Sequence, residues 1–185
     1  MLPNLSKQKL EEIIQTPMGD DDIHHYFPDA KIMKYNVLNN YNDIDELLTE
    51  PLDYAFLLYE QSPNNGHWCV ISKYDDMYEF FDPYGETDIS ILKWESKATN
   101  KELGQGKPTL SNLFKKEKNK LIVNKVDYQL ENPDINTCGR HCCFRILNLI
   151  NYNRNLDEYH QLMNFIKNKF NMPYDIIVSE YISKI

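Results

Sequence analysis

Basic residues are in deficit: 20 Lys and Arg stand against 28 Asp and Glu, a formal charge of −8. A protein that coats nucleic acid needs a dominant positive field to neutralise phosphates, so strong DNA or RNA binding is not expected. No apolar run approaches the roughly 20 residues that cross a bilayer, and no membrane association is expected. Residues 1–10 hold no apolar signal core, which argues against secretion. The sequence shows no internal repeat and no low-complexity linker. Glycine is scarce, with six in 185 residues. The four cysteines, two of them adjacent, make a poor disulfide framework and suit a reducing compartment. No pair of Cys-x-x-Cys knuckles offers a structural zinc site.

What remains is an ordinary globular composition, 42% apolar and 26% charged, long enough for one domain over residues 1–185 with a real core. Hydrophobic spacing predicts helices over 5–16, capped by Ser6, and over 20–27, opened by three aspartates. A brief strand is expected over 31–36 and a helical turn over 43–48, before Pro51. Three strands follow, over 54–59, 67–74 and 77–81. The last two form a hairpin around Asp75-Asp76. Residues 86–107 read as loop or insertion. A helix over 108–116, a core strand over 121–126 and helices from Cys138 and over 156–170 complete the pattern, with 174–182 open between strand and helix. The cluster at 115–120 reads as a solvated helix end. The fold class is therefore α+β, a central mixed sheet flanked by helices.

Cys138 is the residue to which chemistry points. Asn136 or Thr137 can cap the apolar helix behind it, and a cysteine in a first helical turn feels free amides and the positive end of the helix dipole. Both favour the thiolate. Gly139 allows a substrate chain to approach closely. A sulfur nucleophile needs a base. His24 and His25 sit in an acidic helix and read as surface groups. His160 lies in an amphipathic helix. His141 shares the Cys138 helix and could tune the thiol, but side chains on one helix rarely meet end to end. His67 opens a core strand at the end where sites gather, with Trp68 able to wall a pocket. Asp82 ends the partner strand, so antiparallel pairing alone makes His67 and Asp82 neighbours. Cys69, Cys142 and Cys143 read as core packing. A zinc site from Cys138, His141, Cys142 and His67 is the metal alternative, disfavoured for want of a second knuckle. No cofactor and no metal are expected.

Three segments, Gly66-His67-Trp68, Phe81-Asp82-Pro83-Tyr84-Gly85 and Thr137-Cys138-Gly139-Arg140-His141-Cys142, resemble the adenain-like and Ulp1-type (clan CE) cysteine proteases. The likeness is greatest to maturation proteases of virophages, Polinton-type elements and large DNA viruses. The chain order His, Asp, Cys is that family's. The resemblance implies an adenain-like fold with Cys138 as nucleophile, His67 as general base and Asp82 orienting it. It also implies a Gln several residues before the Cys that helps hold the oxyanion. Counting back reaches Glu131 or Asn132 instead, with Gln129 further out, and the Cys138 backbone amide is the firmer oxyanion donor. The implied activity is a thiol endopeptidase that cleaves capsid precursor proteins at small or Gly-containing sites, in the virion or in the cytoplasmic viral factory. Trp68 and Gly139 would form the narrow slot for Gly. A peptide or DNA activator is a family possibility that the net charge does not favour for DNA. The rivals are a protease for ubiquitin-like modifiers and a peptide-binding domain that has lost activity. Oligomeric state is not legible.

Overall fold

Alternation along three consecutive strands builds the centre of the molecule. The computed structural model describes residues 5–49, 53–117 and 120–183. Strand β2 (Tyr54–Ser62) places Phe56 and Leu58 on one face and Ala55, Leu57 and Tyr59 on the other. Strand β3 (Asn65–Tyr74) repeats this with Trp68 and Val70 against Cys69 and Ile71. Both strands are buried on both faces, so each reads as a near-continuous apolar run. Strand β4 (Met77–Phe81) completes the antiparallel core. Two short parallel edges, β1 (Lys31–Lys34) beside β2 and β5 (Lys120–Val123) beside β4, close a five-stranded mixed sheet of order β1-β2-β3-β4-β5.

One face is covered by helices α2 (Asp20–Tyr26), α7 (Cys138–Tyr152), α8 (Leu156–Phe170) and α9 (Tyr174–Tyr181), which share a core with Phe56, Trp68, Val70 and Phe81. Helix α1 (Lys7–Gln15) contributes the buried Ile13, and its Ser6 side chain accepts the Lys9 amide as a cap. The opposite face is covered by a 3-10 helix (Tyr35–Asn40), α3 (Ile44–Leu47), α4 (Asp88–Ile91), α5 (Lys97–Glu102) and α6 (Thr109–Phe114). Tyr35, Leu38, Ile44, Leu47, Ile91 and Leu110 fill that second core.

Helix α7 is buried almost throughout its first nine residues. Arg145 fixes it to the sheet. Its Nε donates to Glu79 Oε1 at 2.7 Å and its Nη2 to Oε2 at 2.6 Å, and neither side chain is exposed. This bidentate pair sets the height of the helix on β4.

Several expectations are corrected. Residues 86–107 are not a plain loop: they hold α4 and α5, each opened by a side-chain cap, Thr87 accepting from Ser90 N and Ser96 from Thr99 N. The strand expected over 31–36 ends at Lys34, and the chain tightens into the 3-10 helix. The strand expected over 121–126 is β5, an edge strand with Leu121 exposed, and it ends at Val123 where Asn124 turns the chain. Residues 174–182 resolve as helix α9, entered at Pro173. Pro51 and residues 118–119 of the charged cluster lie outside the described residues.

Candidate active site

The β3–β4 register decides the first half of the site. Val70 pairs with Phe81, so the next step out sets Asp82 across from Cys69, and His67 is its diagonal neighbour on the same face. His67 Nε2 and the Asp82 carboxylate are hydrogen-bonded, and both side chains are buried. Cys69 Sγ also donates to Asp82 Oδ1 at 3.4 Å, and the Glu86 amide donates to Oδ2 at 2.8 Å. The Asp82 carbonyl accepts from Asn124 Nδ2 at 2.6 Å, which fixes the turn that follows β4. Gly85 completes that turn at φ +71°, where an added Cβ would meet the Lys125 carbonyl carbon at 2.9 Å and that of Val126 at 3.0 Å, so glycine is required there twice over.

The second half comes from the start of α7. Trp68 and Val70 face the helix, while His67 and Asp82 belong to the other face of the sheet. Cys138 therefore meets His67 around the sheet's end, where both line one cavity and the imidazole acts on the ionisation of the sulfur. With Nε2 engaged by Asp82, His67 has Nδ1 left for the sulfur. Helix α1 braces this helix start. The Asn136 amide donates to Ile14 O at 2.8 Å, Asn136 Nδ2 to Gln15 O at 2.9 Å, and Arg140 Nη1 to Thr16 O at 2.6 Å.

Electrostatics separate Cys138 from the other three thiols. Burial opposes its ionisation, but the hydrogen bond and charge of His67, with backbone hydrogen bonds from Trp68 and Gly139, hold it below the ordinary thiol range. Burial pushes Cys69, Cys142 and Cys143 up. For His67, burial works against the cation, yet Asp82 and then Cys138 raise it to about 10. Both shifts run toward a thiolate beside an imidazolium, the charge state of an attacking sulfur. A cavity of about 540 Å3 opens on it, lined by Cys138, His67, Tyr84, Trp94, Gln129 and Ile135 among others.

No family model matches the sequence. The uncharacterized protein V9 of Sputnik virophage is 38% identical over 119 residues, which cover 64% of this chain and 67% of V9. The chain belongs to the V9 family of virophage proteins.

In this V9-family chain the aromatic walls of the cavity are not the ones the sequence suggested. Trp68 is buried, its Nε1 donating to Met18 O at 2.9 Å. Gly139 faces inward, where an added Cβ would meet Met18 Cβ at 2.9 Å and Trp68 Cδ1 at 3.3 Å. Neither residue lines the Cys138 cavity. That place is taken by Tyr84, stacked on His67 with centroids 5.1 Å apart, and by Trp94, edge-on to it at 5.0 Å. Trp94 lies in the stretch read as loop.

The three oxyanion candidates also separate. Glu131 and Asn132 are exposed at the rim, and Asn132 Oδ1 is occupied by the Asp134 amide. Gln129 is buried, its amide held on Pro83 O at 3.1 Å and its Nε2 donating to Tyr84 Oη at 2.8 Å and Ile135 O at 3.0 Å.

Thr137 stands at the cap position of α7 but does not cap it. Its hydroxyl donates to Asp175 Oδ1. His141 Nε2 shares that oxygen at 3.1 Å, and Asp175 Oδ2 accepts the Leu130 amide at 3.2 Å. Asp175, which no sequence pattern pointed to, thus ties α9 to the Cys138 helix and to the Gln129 segment. His141 is turned away from the thiol, so the zinc set drawn from the sequence does not assemble. His67, Cys69 and Asp82 offer ligand atoms within 4.8 Å of one another. Those atoms are already joined by hydrogen bonds, and the Cys69 thiol is held protonated, a poor donor set for a metal. Among the described residues no helix is long and apolar enough to cross a membrane.

Proposed function

We propose that this protein is a thiol endopeptidase with Cys138 as nucleophile, His67 as the acid–base partner and Asp82 as the residue that orients and charges the imidazole. The observation that carries the reading is the contrast among the thiols: Cys138 alone is shifted toward thiolate, and it borders an open cavity beside a buried His–Asp pair.

The thiolate attacks the scissile carbonyl, the C=O π pair moves to oxygen, and a tetrahedral intermediate forms. His67 then gives its proton to the departing amine and leaves a thioester on Cys138. Water, deprotonated by His67, attacks the thioester, releasing the acid and restoring the thiolate with the imidazolium. The oxyanion is received by the Cys138 backbone amide at the helix start and by the Tyr84 hydroxyl. Tyr84 Oη already accepts from Gln129, so its own hydrogen is free to donate, and burial with the nearby Cys138 charge keeps the phenol protonated. Gln129 serves by holding Tyr84 in place.

Cleavage at Gly-containing sites is what the resemblance to maturation proteases favours, with Tyr84 and Trp94 as the aromatic walls that the substrate chain would meet. The V9 relationship supports a virophage setting, and the resemblance to maturation proteases favours a capsid precursor as substrate, with the viral factory and virion as the place of action. The test is mass spectrometry of capsid precursor co-expressed with the wild-type protein and with Cys138→Ala. Defined fragments ending in a small residue are expected with the wild type alone, and the same fragments from Cys138→Ala would end the proposal.

A further inference from the structure

A second cavity, of about 1000 Å3, is larger than the one at Cys138. It is formed by the 86–108 stretch, and Lys93, Lys97, Lys101 and Lys107 all line it. None of the four has an ion-pair partner among the described residues. Glu95 is the single acid on the wall. In a chain of net charge −8, four lysines against one acid on a single cavity wall are a local excess of positive charge, which an anionic partner would answer. Ile89, which is 44% exposed, Leu92 and Pro108 add an apolar component.

The cavity is wired to the candidate active site. Trp94 sits between Lys93 and Glu95, and its ring packs on His67 and Tyr84. Asn100 Nδ2 donates to Leu92 O at 2.6 Å and Glu95 O at 3.4 Å, bracketing the Trp94 segment. Asn100 Oδ1 accepts from Gln105, whose side chain bonds both Glu60 O and Glu60 N. Glu60 adjoins Tyr59, the β2 partner of His67. The wall of one site and the floor of the other thus share one hydrogen-bonded chain.

We propose that this cavity is a docking site for an acidic, leucine-type peptide segment of a partner protein, and that its occupancy is felt at Cys138 through Trp94. Carboxylates answer the four lysines, and an aliphatic side chain answers Ile89, Leu92 and Pro108. A nucleic-acid backbone would find no use for that apolar component and would be repelled by the rest of the surface. The docking claim stands apart from the proteolytic reading, since its test measures binding and thiol reactivity rather than cleavage.

The experiment titrates the full chain with a fluorescein-labelled Glu/Leu peptide and follows anisotropy. A Gln/Leu peptide and a single-stranded oligothymidine are the controls. Binding of the Glu/Leu peptide is expected to weaken about tenfold in K97E/K101E and to survive in K97R/K101R. It is also expected to weaken at about 0.3 M salt, as exposed charge pairs do. Saturating peptide should change the rate at which iodoacetamide labels Cys138 by about twofold or more, and the change should vanish in Trp94→Ala. Equal binding to wild type and K97E/K101E, or tighter binding of the oligothymidine, overturns the docking claim. Binding without any change in Cys138 labelling overturns the coupling.

Discussion

Replacing Glu79 by Gln tests what holds the Cys138 helix on the sheet. Arg145 reaches Glu79 through two hydrogen bonds of 2.7 and 2.6 Å, and both side chains are 0% exposed. The remaining Nη1 is satisfied by Arg154 O at 2.9 Å. Glu79→Gln keeps the shape but removes the countercharge and turns one acceptor into a donor facing a guanidinium. An uncompensated buried cation costs about 3–5 kcal/mol, a large share of the roughly 5–15 kcal/mol that holds a domain folded. At about 2–4 °C per kcal/mol for a chain of this size, Tm should fall by about 6–20 °C. Urea unfolding followed by circular dichroism reads the change as a shift in midpoint at constant slope. The double variant Glu79→Leu/Arg145→Met should recover most of the loss, because apolar replacement of a buried pair is close to neutral. A loss under about 1 kcal/mol, or a double variant less stable than the single, would refute the assignment of this pair as the anchor of α7.

Other expectations concern the site itself. Tyr84→Phe should lower turnover about 10²–10³-fold, the size of one lost oxyanion donor, while leaving the iodoacetamide rate of Cys138 within a factor of about two; unchanged turnover would contradict the oxyanion role. Asp175→Asn weakens the anchor shared by Thr137, His141 and Leu130, and should cost about 1–3 kcal/mol in urea unfolding, with a readout of no change sinking the anchor. Gly66→Ala would drive a Cβ to within 2.0 Å of Tyr59 O at the entry to His67, so a destabilisation of about 1–3 kcal/mol is expected by the same assay. For pH, the His67 shift is upward, so its contribution to stability is present at neutral pH and is lost as pH rises through about 10. The Cys138 shift is downward, so its contribution is lost as pH falls through its lowered value. Urea midpoints across pH should therefore decline on both sides, and a monotonic profile would contradict the ion pair.

The meeting of the candidate site residues was more legible in the sequence than their surroundings. His67 and Asp82 were predicted neighbours because one tight turn at Asp75-Asp76 fixes the register of β3 and β4, and register is all their meeting requires. The Ser6 cap of α1, the three aspartates that open α2 and the period of α7 were local signals of the same kind. The 86–107 stretch was opaque because helices of four and six residues carry no readable hydrophobic period. Thr87 and Ser96, each accepting from an amide three residues on, were the only clue. Counting back from Cys138 reached Glu131 and Asn132 because the Asn132–Ile135 turn, closed by Ile135 N on Asn132 O at 3.0 Å, takes up residues between Gln129 and the helix. Thr137 misled for a different reason. Asp175, 38 residues downstream, competes for its hydroxyl, and no local rule anticipates a partner that distant.

The central claim is that His67, charged by Asp82, holds the Cys138 sulfur toward the thiolate, below the ordinary thiol range. The pH dependence of Cys138 alkylation by iodoacetamide, read peptide by peptide in wild type and in His67→Ala, tests it most directly. Wild-type Cys138 should react far faster than Cys69, with its rate rising at a lower pH than that of an ordinary thiol, while His67→Ala should lose that shift and react only as the pH turns alkaline. A wild-type Cys138 that follows Cys69, or that loses nothing when His67 is removed, would contradict the account.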